Sequence, residues 1–187
     1  MLDFIKKINK EDDYNFDKKT NISIYFITFI IGSLSGYIYE IIFYLVMDNE
    51  LTNRGFLYGP YLPVYGVGAV CMLWLLKRFK KKPWLVFLLA MLVTGIVEYV
   101  TGVLLFKLYH RTWWDYNGLF LNIDGYVCIR SVFTFGIGGL LLIYLIDPLV
   151  RKYSAKFNSN KYLLGSVCGI FLMVLDLTFT LIFRNKL

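Results

Sequence analysis

Trp84-Leu-Val-Phe-Leu-Leu-Ala-Met-Leu-Val-Thr-Gly-Ile-Val-Glu-Tyr-Val-Thr-Gly-Val-Leu-Leu-Phe106 is the stretch that decides the fold class. It carries one charged residue, Glu98, and no proline. As a helix it is about 35 Å long at 1.5 Å per residue, enough to cross a hydrocarbon core of about 30 Å. Working outward, four more apolar stretches recur, at 22–46, 61–76, 126–146 and 162–183. The second is the shortest and is bordered by Pro60 and Pro63. The pattern predicts an all-α, polytopic membrane helix bundle of five transmembrane spans.

The composition of the whole chain agrees. Of its 187 residues 58% are apolar and 18% charged, and mean hydropathy is +0.58. A soluble domain carries roughly 45–50% apolar and about 25% charged residues. The same figures exclude a disordered chain, and three cysteines exclude a disulfide scaffold. The net charge of +7 lies in short blocks between apolar runs, which reads as membrane topology rather than nucleic-acid binding.

Lys plus Arg outside the spans alternate strictly. Five precede the first span (Lys6, Lys7, Lys10, Lys18, Lys19) and one follows it, Arg54. Five come next (Lys77, Arg78, Lys80, Lys81, Lys82), then two, Lys107 and Arg111. Four follow (Arg151, Lys152, Lys156, Lys161), and two end the chain, Arg184 and Lys186. The positive-inside rule puts the N-terminus in the cytoplasm and the C-terminus outside. Residues 1–21 form a cytoplasmic segment, 22–183 a single transmembrane domain and 184–187 a short outer tail. No cleavable signal peptide is expected, because the first span is long and has no A-x-A-like site after it. Leu2, Phe4, Ile5 and Ile8 beside Lys6, Lys7 and Lys10 fit either a short helix on the inner leaflet or a disordered tail.

Four ionisable residues fall within spans: Glu40, Glu98, Arg130 and Asp176. Each costs at least about 2.5–3.5 kcal/mol at mid-bilayer on insertion scales, so by default they are functional and face the bundle interior. Counted from the outer ends of their spans they lie 6, 8, 4 and 7 residues deep, which predicts one shared layer in the outer half of the membrane. Helical spacing places Glu40 with Gly32 and Gly36, Glu98 with Thr94 and Thr101, Arg130 with Thr134 and Gly138, and Asp176 with Gly169 and Met173. One reading is structural, with Arg130 neutralised by Glu40 or Glu98. The other is a substrate- or ion-binding site, because three carboxylates against one guanidinium leave a surplus of 3 − 1 = 2 negative charges.

Two outer loops would form the lid of that layer. In the first, Tyr58, Tyr61 and Tyr65 interleave with glycines and with Pro60 and Pro63. It is either a re-entrant, broken helix or an interfacial turn whose tyrosines join the aromatic belt. The second holds His110, Trp113, Trp114, Asp115 and Asp124. Membrane anchoring explains its tryptophans but not its aspartates. Arg54 and Asp115 join the candidate binding residues.

No G-x-x-x-x-G-K-[ST] sequence occurs, so the chain itself does not bind ATP as P-loop proteins do. A lone histidine and three cysteines on separate spans predict no metal, and no cofactor is expected. Asn53-Arg-Gly-Phe-Leu-Tyr-Gly-Pro60 with Pro63-Val-Tyr-Gly66, Glu98-Tyr99, Trp113-Trp-Asp-Tyr116, and Asn122-Ile-Asp-Gly125 leading to Arg130 resemble the CmpB-like family. That family is catalogued under ABC-transporter type IV membrane proteins and takes in transmembrane protein 229. The resemblance covers roughly residues 22–183 and implies a multi-span permease component; it carries over no catalytic residue. Gly125-Tyr126 stands where the family often has Gly-Arg, so one positive charge is missing.

Three functions fit. The leading one is a multi-pass transporter or permease subunit of the cell membrane, with an outward-facing polar site built from Glu40, Glu98, Arg130 and Asp176. Five spans are few for a carrier, so a homodimer or another membrane subunit is expected, packing on Gly32/Gly36 or Gly165/Gly169. An ATPase would be a separate chain docking on the basic loops 77–82 and 151–161, which alternatively bind anionic lipid of the bilayer. The second is a membrane-embedded enzyme acting on a lipid or lipid-linked substrate, with Arg130 or Arg54 on a phosphate. The third is an accessory subunit without chemistry. The topology is directly testable: in a cysteine-free background, Thr112→Cys should be labelled by an impermeant maleimide in intact cells and Lys81→Cys protected. The reverse pattern overturns the orientation.

Overall fold

Helix α1, Lys18–Met47, begins where Asp17 accepts the Thr20 N–H at 3.1 Å, an N-cap at the point where the chain turns apolar. The computed structural model describes residues 14–47, 49 and 55–183. The remaining helices are α2 (Pro63–Leu76), α3 (Pro83–Tyr109), α4 (Ile129–Leu141), α5 (Asp147–Ser154) and α6 (Ser159–Phe183). A 3-10 turn, Lys77–Phe79, prolongs α2, and a π-turn, Leu142–Ile146, fuses α4 to α5. Among the described residues there is no strand, only an isolated bridge between Ile123 and Val127. The segment before residue 14, the tail after 183 and Arg54 lie outside the described residues.

Four helices are long and apolar enough to cross a membrane: Lys18–Val46, Pro83–Tyr109, Ile129–Ser154 and Ser159–Phe183. Helix α2, at 14 residues, is shorter than these. Three of the long helices match the apolar stretches to within a turn, but the fourth is displaced. Tyr126 and Val127 belong to the preceding loop, and Cys128 is extended (φ −144°, ψ 165°) and serves as N-cap. At the other end the helix runs on through Pro148, which has no N–H and whose ring opposes the carbonyl four residues back. The π-turn accommodates it: the Asp147 N–H bonds Leu142 O, five residues back.

The described chain separates into two compact units. In the first, Cys71–Pro148, helices α3 and α4 run antiparallel. Gly139 abuts Ala90, Gly136 abuts Phe87 and Met91, and Gly95 abuts Val132, in descending against ascending order. Asp147, with no exposed surface, accepts the Lys77 ammonium at 2.8 Å. Tyr144 donates its hydroxyl to Lys80 O at 2.5 Å, tying the π-turn to the end of the 3-10 turn.

The second unit comprises residues 14–70 and 149–183. Helices α1 and α6 are parallel: Lys19 meets Asn160 (2.7 Å), Thr20 meets Ser159 (3.2 Å), and Ile30 lies against Gly169. Helix α2 runs antiparallel to α1, with Gly36 under Tyr65 and Gly32 against Ala69. A Cβ on Gly66 would lie 2.7 Å from the Phe29 carbonyl oxygen, a backbone atom that cannot rotate away. Gly66→Val is therefore expected to lower the thermal midpoint in detergent, with a cost of about 1–3 kcal/mol or more. Gly165→Ala, facing open space, should leave it unchanged.

Candidate functional site

In the second unit, the non-helical stretch 55–62 is pinned at both ends of its Pro60 turn. Asp176, on α6, accepts the N–H of Gly59 at 2.8 Å and of Tyr58 at 3.2 Å, together with the Tyr61 hydroxyl. Thr180, one helical turn on, adds its hydroxyl at 3.3 Å. The Leu62 N–H bonds Ser33 O at 3.0 Å. Ser33 is the sixteenth residue of the thirty in α1, so α2 starts level with the middle of that helix. Tyr65, on the first turn of α2, donates its hydroxyl to Glu40. The proline-glycine chemistry explains the break: Pro60 and Pro63 supply no N–H, Asp176 satisfies the two amides just before Pro60, and Gly59 O and Ser33 O take the two between the prolines.

In the first unit, Glu98 is buried, with 7% of its surface exposed. Its Oε1 accepts the Tyr116 hydroxyl and its Oε2 lies against Ser131 Oγ, both at 2.8 Å. Tyr116 reaches it because the loop closes on itself. The Tyr116 N–H bonds Gly125 O (2.8 Å), and Trp114 Nε1 donates to Tyr126 O (2.9 Å). Gly125 has φ +71°, and a Cβ there would strike the side chains of Asn117 and Asp115, so the closure requires glycine. Asp115 accepts the Asn117 N–H at 2.8 Å, and Asp124 accepts the Tyr99 hydroxyl at 2.8 Å. Trp113 lies under the Arg111 guanidinium, 4.7 Å from its ring centre. Arg130 is exposed in the first turn of α4.

The sequence-predicted residues thus divide between the two units. Glu40, Asp176, Tyr58, Tyr61 and Tyr65 belong to one, and Glu98, Arg130, Trp113, Trp114, Asp115 and Asp124 to the other. Within the first set, two of the three tyrosines place their hydroxyls on the two carboxylates, while the Tyr58 side chain is exposed. Sequence reasoning missed Tyr116, Ser131, Tyr99 and the pairing of Lys77 with the buried Asp147. Tyr99 and Tyr116 stood in the motifs and Lys77 in a basic block; Ser131 and Asp147 gave no signal, because a hydroxyl and a charge one residue past a span look ordinary in one dimension. No group of three His, Cys, Asp or Glu side chains able to hold a metal occurs among the described residues.

Long apolar helices bearing internal carboxylates define a multi-pass, all-α membrane protein. The family described as "Putative ABC-transporter type IV" matches residues 27–181, and the chain belongs to it. No curated protein matches the chain, and neither does any solved structure.

The loop anchor has a measurable consequence. Asp176→Ala leaves the Tyr58 and Gly59 amides without that acceptor and is expected to cost about 1–3 kcal/mol. Asp176→Asn keeps an acceptor oxygen and should cost less. Thermal midpoints in detergent rank the two variants, and a cysteine at Tyr58 should label faster in the alanine variant.

Proposed function

We propose that the protein is the membrane subunit of a transporter, with outward-facing polar groups in each unit, Glu40 and Asp176 in one and Glu98 and Arg130 in the other. The observation that carries this reading is the non-helical backbone of residues 55–62, which ends level with the middle of α1 and is held by a carboxylate. Irregular backbone at membrane depth is tolerated where it is buried in protein or lines a cavity, and broken helices of this kind form binding sites in transporters. The re-entrant form of this segment is the one these bonds support.

Five crossings, with the N-terminus inside and the C-terminus outside, fit the helix directions. Helices α1 and α6 are parallel, as two helices separated by an odd number of crossings must be. Four crossings that left out α2 would make them antiparallel. The 14 residues of α2 and three of the 3-10 turn give about 27 Å at 1.5 and 2.0 Å per residue, more than enough to run from the level of Ser33 to the inner side, so the stretch 55–62 and α2 together make the second crossing. With so few spans the unit works as a homodimer or beside another membrane subunit in the cell membrane. A separate ATPase docks on the basic loops 77–82 and 151–161.

The surplus carboxylates supply the test. At least one of Glu98→Gln and Asp176→Asn is expected to reach the membrane at near-normal level yet abolish complementation of a deletion strain. Structural carboxylates would instead lose activity only in proportion to lost protein. Full complementation by both variants overturns the site.

A further inference from the structure

Ser131 Oγ has three close polar neighbours: Cys128 N at 3.3 Å, Cys128 O at 2.9 Å and Glu98 Oε2 at 2.8 Å. For each contact to be a full two-centre hydrogen bond, one proton must lie between its two atoms. The Cys128 N–H supplies one and the Ser131 hydroxyl supplies one. The Cys128 carbonyl has none to give. With Glu98 ionised, one of the two oxygen–oxygen contacts below 3 Å would set lone pair against lone pair. With a proton on Oε2 the count closes. Glu98 donates to Ser131, Ser131 donates to Cys128 O, the Cys128 N–H donates back to Ser131, and Tyr116 donates to Oε1.

From this count we infer that Glu98 is held as the neutral acid and is a reversible proton-binding site. Its release is a simple transfer: the O–H bond of Oε2 breaks, water takes the proton, and the carboxylate keeps the electron pair. The Ser131 hydroxyl then turns from Cys128 O to the carboxylate. Cys128 is the N-cap of α4, so the proton is linked to the bond that fixes the start of that helix.

Charged groups on the packed elements are compatible with this. Arg130 follows Cys128 by two residues on α4 but precedes Ser131 by one, about 100° around the helix, and its side chain is exposed. In the loop, Asp115 is engaged by Asn117, Asp124 by Tyr99, and Arg111 by Trp113. His110 is exposed at the end of α3, beyond the exposed Lys107, and the Tyr126 ring packs edge-on against Tyr99. The role of this proton as coupling ion rests on the transporter reading; its presence does not.

Infrared difference spectroscopy of the purified full-length protein in detergent, at neutral pH, tests it. The wild-type minus Glu98→Gln spectrum should contain the carbonyl stretch of a neutral carboxyl, shifted down in D2O. Its absence from folded samples overturns the inference. Should Glu98→Gln misfold, Ser131→Ala and Tyr116→Phe must each shift the same band, and a neutral-carboxyl band that ignores both overturns the assignment. If the band is present while Glu98→Gln complements fully, the proton site stands and its part in transport falls.

Discussion

A peptide N–H shielded from water must find its partner inside the protein, and a non-helical stretch offers several at once. Between Gly55 and Leu62 the chain leaves helical geometry, and the carboxylate of Asp176 collects two of the freed amides while Ser33 O takes a third. Everything around this follows from closeness. Gly32, Gly36 and Gly66 let α2 lie against α1, which brings Leu62 to Ser33 and Tyr65 to Glu40. A side chain at any of the three would move α2 outward and take the loop from its acceptors.

The carboxylates on the long helices share a mode of containment. Glu40, Glu98 and Asp176 each receive a tyrosine hydroxyl, and Glu98 adjoins a serine as well. A hydroxyl stabilises a carboxyl group without fixing its charge, because it can donate to the anion or accept from the acid. A guanidinium offers only the first. The tyrosine hydroxyls at Glu40 and Glu98 therefore do not by themselves fix a protonation state, whereas Asp176 also accepts two backbone N–H groups, which can only donate.

The long apolar helices were legible because apolar length is a one-dimensional quantity. Helices α1, α3 and α6 fall where the residues place them. The fourth helix does not, for two local reasons. Tyr126 and Val127 are apolar yet serve the loop, and Pro148 stands in a helix whose π-turn receives it. The internal charges were equally legible, but their partners were not. Tyr116 reaches Glu98 only through a loop closed by Gly125, and Lys77 meets Asp147 across 70 residues. Such pairings depend on how the chain returns, which no local pattern encodes.

The π-turn makes the register of this helix countable. Five residues, Leu142–Ile146, occupy a turn that an α-helix would build with about four, so every position after it is advanced by one. Asp147 thereby occupies an angular position that an uninterrupted helix would give to Ile146, about 100° away. Losing any single residue from the turn would restore a regular helix in all outward respects. The same deletion would leave Asp147 at the angle it now has toward Lys77 but bring the Pro148 ring against the carbonyl four residues back. In this family, alignment gaps should therefore be far rarer within 142–146 than substitutions are.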